Sequence, residues 1–210
     1  SAVVVYLRTL YYPGGFSFPL VPMAPRILLV EVLRELATLV MLLVPGALLT
    51  RSRLERFAWF CWSFAIWDIF YYVFLKLLLG WPDSLFTWDV LFLLPTVWVG
   101  PVLAPCIVSL SLLILAALLL RGRERRPEYR PSPSQWFLLV LSASVLLCTF
   151  MVDPLRHAGD PPCGTCAGTD FLSNLQHYSP QAYPWPLFLI ACIIACWAMV
   201  GLAWNKGNAN

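Results

Sequence analysis

Apolar runs long enough to cross a bilayer alternate with short polar segments over almost the whole chain. A spanning helix needs about 20 predominantly apolar residues. Ile27–Thr50, Phe57–Gly80, Pro101–Leu120, Trp136–Val152 and Trp185–Trp204 approach or exceed that length. Ser1–Tyr6 is apolar but too short to cross alone, and reads as the tail of a first spanning helix that begins upstream. An interfacial segment is the alternative there. Between Asp89 and Leu120 the pattern is interrupted by Pro95, Gly100-Pro101 and Pro105. Proline removes a helix hydrogen bond and clashes with the preceding turn. Asp89–Val99 is therefore expected to lie in the interface or dip in as a re-entrant piece, and Pro101–Leu120 to cross. The expected fold is an all-α integral membrane protein, a single domain over 1–210. It is a bundle of five full transmembrane helices and a partial N-terminal one, with a broken or re-entrant segment at about 89–105.

Composition agrees. The 210 residues are 60% hydrophobic and only 12% charged, with a mean hydropathy of +0.75, far from a soluble globular domain. Ten Trp and eighteen Pro suit interfacial anchors and interrupted helices. The net charge of +3 matters less than its placement. Its basic residues fall in short clusters between apolar runs, so no nucleic-acid partner is expected. Arg51–Arg56 (RSRLER) and Arg121–Gln135 (RGRERRPEYRPSPSQ) fall on one side under this threading. The positive-inside rule makes that side, and the C-terminus, cytoplasmic. The segments 8–26, 81–88 and 153–184 then face outward, the last as a periplasmic loop.

Charge inside the apolar runs is the first candidate chemistry. Glu31, Arg34 and Glu35 are spaced i, i+3, i+4 and share one helix face. Asp68, Tyr72 and Lys76 share a face of the next run, with Tyr71 beside them. At 1.5 Å per residue, Glu31 and Glu35 lie about 6 and 12 Å below the outer surface, Lys76 about 6 Å and Asp68 about 18 Å. Antiparallel packing would gather Glu31, Arg34, Glu35, Tyr72 and Lys76 into an outward-opening pocket floored by Asp68. Ionisable groups inside a membrane are costly and usually functional. The competing expectation is a structural network in which Arg34 satisfies both Glu while Lys76 snorkels to the interface.

Cys163-Gly-Thr-Cys166, near His157 and His177 in the 153–184 loop, is the second. A local disulfide is the favoured reading outside the cytoplasm; a redox pair or half of a zinc site is the alternative. Ala167 stands where a c-type haem motif needs His. No His lies within a spanning run, so no bilayer haem, metal or other cofactor is expected, although a bound lipid is compatible. Cys192 and Cys196, i and i+4 on the last run, read as apolar packing. No GxSxG elbow, Walker loop or HExxH helix occurs.

YLRTLYYPGGFSFPL, WDIFYYVFLKLLLGWP and WVGPVLAP resemble segments of a group of uncharacterised bacterial multi-spanning membrane proteins. The similarity covers most of 2–110 and fades in the 153–184 loop. It implies a bacterial cytoplasmic-membrane protein, with no activity or catalytic residue to carry over. Two functions stay open. The favoured one is a non-catalytic subunit or scaffold of a larger membrane complex of respiratory or photosynthetic type, with membrane lipids and other membrane subunits as partners. The other is a membrane-embedded enzyme or carrier whose pocket takes a lipid, quinone, proton or metal.

Overall fold

A computed structural model describes residues 2–12, 16–21, 24–94, 96–159, 178–180 and 182–204. Among them are six helices: α1 (Ala2–Tyr11), α2 (Pro25–Leu49), α3 (Arg53–Leu79), α4 (Leu103–Arg125), α5 (Pro133–Gly159) and α6 (Trp185–Trp204). Strands β1 (Trp88–Phe92) and β2 (Trp98–Pro101) lie between α3 and α4. Four helices are long and apolar enough to cross a membrane: α3, α4, α5 over Pro133–Arg156, and α6. A helical, multi-pass membrane protein follows from those four.

Two helices begin earlier than the apolar pattern alone suggests, because polar first turns are held by caps. The Ser132 hydroxyl accepts the Gln135 N–H (3.3 Å) while the Gln135 side-chain oxygen accepts the Ser132 N–H (2.7 Å). Pro133 occupies the first helical position, where its missing N–H costs nothing. This reciprocal capping box starts α5. Ser52 acts similarly for α3, accepting the Glu55 N–H at 3.5 Å. At the other end of α3, Gly80 takes a φ of +69° and its N–H closes on the Lys76 carbonyl at 3.1 Å, a left-handed C-cap.

The interruption after α3 takes a form that the all-α expectation did not include. β1 and β2 pair antiparallel, Asp89 opposite Gly100 and Val90 opposite Val99, with an irregularity between Val90 and Phe92. The segment is rich in Trp, Val and Phe, which favour strands. Backbone bonds from Val102 N–H to the Thr87 carbonyl (3.0 Å) and from Leu103 N–H to the Leu85 carbonyl (2.7 Å) carry the hairpin to the start of α4.

The chain divides into two compact units. The first comprises Ser1–Leu36, Phe70–Pro105 and Thr149–Tyr183. Its hairpin carries an aromatic face: Trp98 stacks on Phe150 (centroids 6.3 Å, planes 5° apart) and meets Phe92 at 5.4 Å. Tyr183 packs on Phe150 and Trp88, and its hydroxyl pairs with Thr149 at 2.9 Å. The second unit comprises Ala37–Ile69, Cys106–Cys148 and Pro184–Asn210. Its core is Ala58, Leu115, Leu119, Tyr129, Met199 and Leu202. Polar groups cross it in hydrogen-bonded pairs, Ser142 to the Ala191 carbonyl at 2.8 Å and Tyr129 to the Leu202 carbonyl at 3.2 Å.

Gly100 is where the hairpin runs closest to a ring. A Cβ there would sit 2.9 Å from the Phe150 side chain. Gly100→Ala should therefore destabilise the detergent-solubilised protein by about 1–3 kcal/mol. Adding Phe150→Leu should return part of that loss; thermal unfolding read by size-exclusion fluorescence checks both.

Candidate functional site

Within the first unit, one face of α2 carries carboxylates inward. Glu31 and Glu35 are buried, whereas Leu29, Val30, Leu33 and Leu36 are at least half exposed. Arg34 Nε donates to Glu31 at 2.8 Å. Glu35 accepts the backbone N–H of Leu93 at 3.0 Å, an amide just beyond the end of β1. The carboxyl oxygen satisfies a loop amide that the ladder leaves open.

The most buried charge of the unit is Asp89 on β1, fully inaccessible to solvent. Its Oδ1 accepts the Arg8 Nη2 at 2.6 Å and the Val90 N–H at 2.8 Å, and its Oδ2 accepts the Tyr72 hydroxyl at 3.2 Å. Arg8 also donates to the Tyr71 hydroxyl at 3.3 Å. The guanidinium lies in the corner of two rings that meet edge to face, 3.8 Å from the Trp81 centroid and 4.5 Å from that of Phe16. Among the described residues Arg8 Nη1 and Trp81 Nε1 find no hydrogen-bond acceptor; the aromatic faces supply a cation–π environment for the guanidinium. Complete burial pushes the Asp89 carboxyl upward, against the downward pull of Arg8, Tyr72 and the Val90 amide. A guanidinium at 2.6 Å keeps the ionised form the stable one in this pair. Elsewhere in the unit, burial and then its bond to Asp153 push the Tyr178 hydroxyl upward, so it stays protonated as the donor to that carboxylate.

The residues singled out in the sequence fall as follows. Glu31 and Arg34 pair with each other, and Glu35 binds the hairpin. Tyr72 turns to Asp89. Lys76 is exposed, and its Nζ donates to the carbonyls of Gly80 (3.0 Å) and Pro82 (2.7 Å), tying the end of α3 to the following loop. Asp68 belongs to the second unit, where it accepts the Ser109 hydroxyl at 2.7 Å. Cys163, Cys166, His177 and the side chain of His157 lie outside the described residues. Arg8 and Asp89, the centre of the network, were missed by sequence reasoning, because each stands at the edge of an apolar run where a charge reads as a boundary. Among the described residues, no group of three or more His, Cys, Asp or Glu is gathered in a way that would hold a metal ion.

No protein family matches the chain, and no curated protein and no solved structure matches it.

Glu35→Ala should free the Leu93 amide and loosen the hairpin locally. Hydrogen exchange at Leu93 is expected to rise about tenfold, matching a lost hydrogen bond of about 1.5 kcal/mol. Unchanged exchange would mean that Glu35 does not hold the strand.

Proposed function

We propose that this chain is a multi-pass protein of the bacterial cytoplasmic membrane, serving as a non-catalytic subunit or scaffold of a larger membrane complex of respiratory or photosynthetic type. In this reading α2 joins α3, α4, α5 and α6 as a fifth span. The hairpin is the interfacial or re-entrant element, and the basic segments 51–56 and 121–135 face the cytoplasm. The resemblance to uncharacterised bacterial multi-spanning proteins supports the location.

The observation that carries the reading is how the charged groups of the apolar helices and the hairpin are used. Glu31 pairs with Arg34, Glu35 holds the Leu93 amide, Asp68 holds Ser109 and Asp89 holds Arg8. Each carboxylate is engaged by a protein donor, as expected of packing glue in a membrane. A second reading, an enzyme or carrier with an outward-facing pocket for a lipid, quinone, proton or metal, draws support from the burial of two carboxylates on one face of α2. Intramembrane ionisable groups usually mark a functional site.

Purification from native membranes in a mild detergent separates the two. A subunit or scaffold co-migrates with other membrane proteins in a large particle, and Glu31→Gln, Glu35→Gln and Asp68→Asn lower its melting temperature while leaving partner recovery per folded molecule unchanged. A stable monomer or dimer that carries a bound metal or quinone, lost on any of these substitutions, would contradict the scaffold.

A further inference from the structure

We propose that the arginine-rich end of the second unit is a binding site for the headgroups of anionic phospholipids. Two sequence-distant basic segments meet there. Arg123, in the last turn of α4, bonds Glu55 in the first turn of α3 at 2.9 Å, and Glu55 also accepts the Thr50 hydroxyl. Arg56 Nε donates to the Thr50 carbonyl at 2.9 Å, fixing the turn between α2 and α3. The segment after α4 is folded back rather than extended: Arg126 N–H bonds the Gly122 carbonyl (3.1 Å) and Tyr129 N–H the Arg126 carbonyl (2.9 Å). Tyr129 is buried in the unit's core, with its hydroxyl on the Leu202 carbonyl. The anchoring residues point in, and the remaining guanidinium groups are left outside. Arg51, Arg53, Arg121, Arg125, Arg126 and Arg130 are all exposed.

Charge and chemistry both suit phosphate. Over 51–56 and 121–130 there are eight Arg and three Glu, a net of +5, and no Lys. Arginine presents a planar fork of donors that matches phosphate oxygens two at a time, which a lysine ammonium does not. The cluster sits at the ends of α3 and α4, two of the helices able to cross a membrane, so headgroups are the anions within reach. Basic residues beside a spanning helix are attracted to an anionic leaflet by about 1 kcal/mol each. A diffuse attraction of this kind would not distinguish arginine from lysine, whereas a site that grips phosphate oxygens two at a time would.

The test is native mass spectrometry of the full chain in detergent, titrated with phosphatidylglycerol or with phosphatidylcholine of the same acyl chains. Wild type is expected to bind phosphatidylglycerol about tenfold more tightly, with the preference shrinking as salt is raised. R121Q/R125Q/R126Q/R130Q is expected to lose most of that preference, and the matching Arg→Lys variant to retain more of it. Equal uptake of the two lipids by wild type would overturn the proposal without recourse to any variant. So would an undiminished preference in the folded Gln variant, with folding read by melting temperature.

Discussion

Everything in the first unit is organised by a guanidinium and a carboxylate removed together from water. Arg8 on α1 and Asp89 on β1 lie 81 positions apart in sequence and meet at 2.6 Å. Charges of this kind are tolerated in an apolar interior only when paired and further hydrogen-bonded. Asp89 meets that condition with the Tyr72 hydroxyl and the Val90 amide, and Arg8 with the Tyr71 hydroxyl and the rings of Phe16 and Trp81. One ion pair thus fixes α1, α3, the 16–21 segment and the hairpin against one another.

The hairpin itself explains why so much polarity is needed. A two-stranded ribbon is marginal alone, and buried backbone groups outside its ladder must find partners in the protein. Here β1 is held at its start by Arg8 through Asp89, and just past its end by Glu35 at Leu93, while Phe150 and Tyr183 cover its aromatic face. The charges are costly to bury, and what they provide is a hold on both ends of β1. The second unit, without a strand among the described residues, joins α3 and α4 at one end by the Arg123–Glu55 pair and across its core relies on neutral donors. Ser142 and Ser109 each make one interhelical bond, and Tyr129, from the segment between α4 and α5, reaches the Leu202 carbonyl of α6.

Periodicity and length made the long helices legible: the last span runs over Trp185–Trp204 in both sequence and structure. Their starts were less legible only because apolar runs were followed instead of caps. Ser132-Pro-Ser-Gln135 is a capping box that could have set the beginning of α5, and Ser52 with Glu55 that of α3. The hairpin was hidden for a different reason. Pro95, Gly100 and Pro101 announce a break, but whether Trp, Val and Phe residues then pair as strands depends on what covers them, here Phe150 and Tyr183 from far along the chain. Glu31 and Glu35 were visible as inward charges from spacing alone. Arg34 as the partner of Glu31 was visible too, but that of Glu35 was not, because Leu93 offers only a backbone amide; the Arg8–Asp89 pair stayed hidden because Asp89 looked like the first residue of a broken span.

The sharpest measurement is a double-mutant cycle on Arg8→Met and Asp89→Leu, read as unfolding free energy in detergent. A structural pair predicts that each single change costs about 3–5 kcal/mol, because it strands the other charge, and that the double variant recovers much of that loss. Additive losses, with the double variant as unstable as the two singles combined, would contradict the pair as the element that holds the hairpin in place.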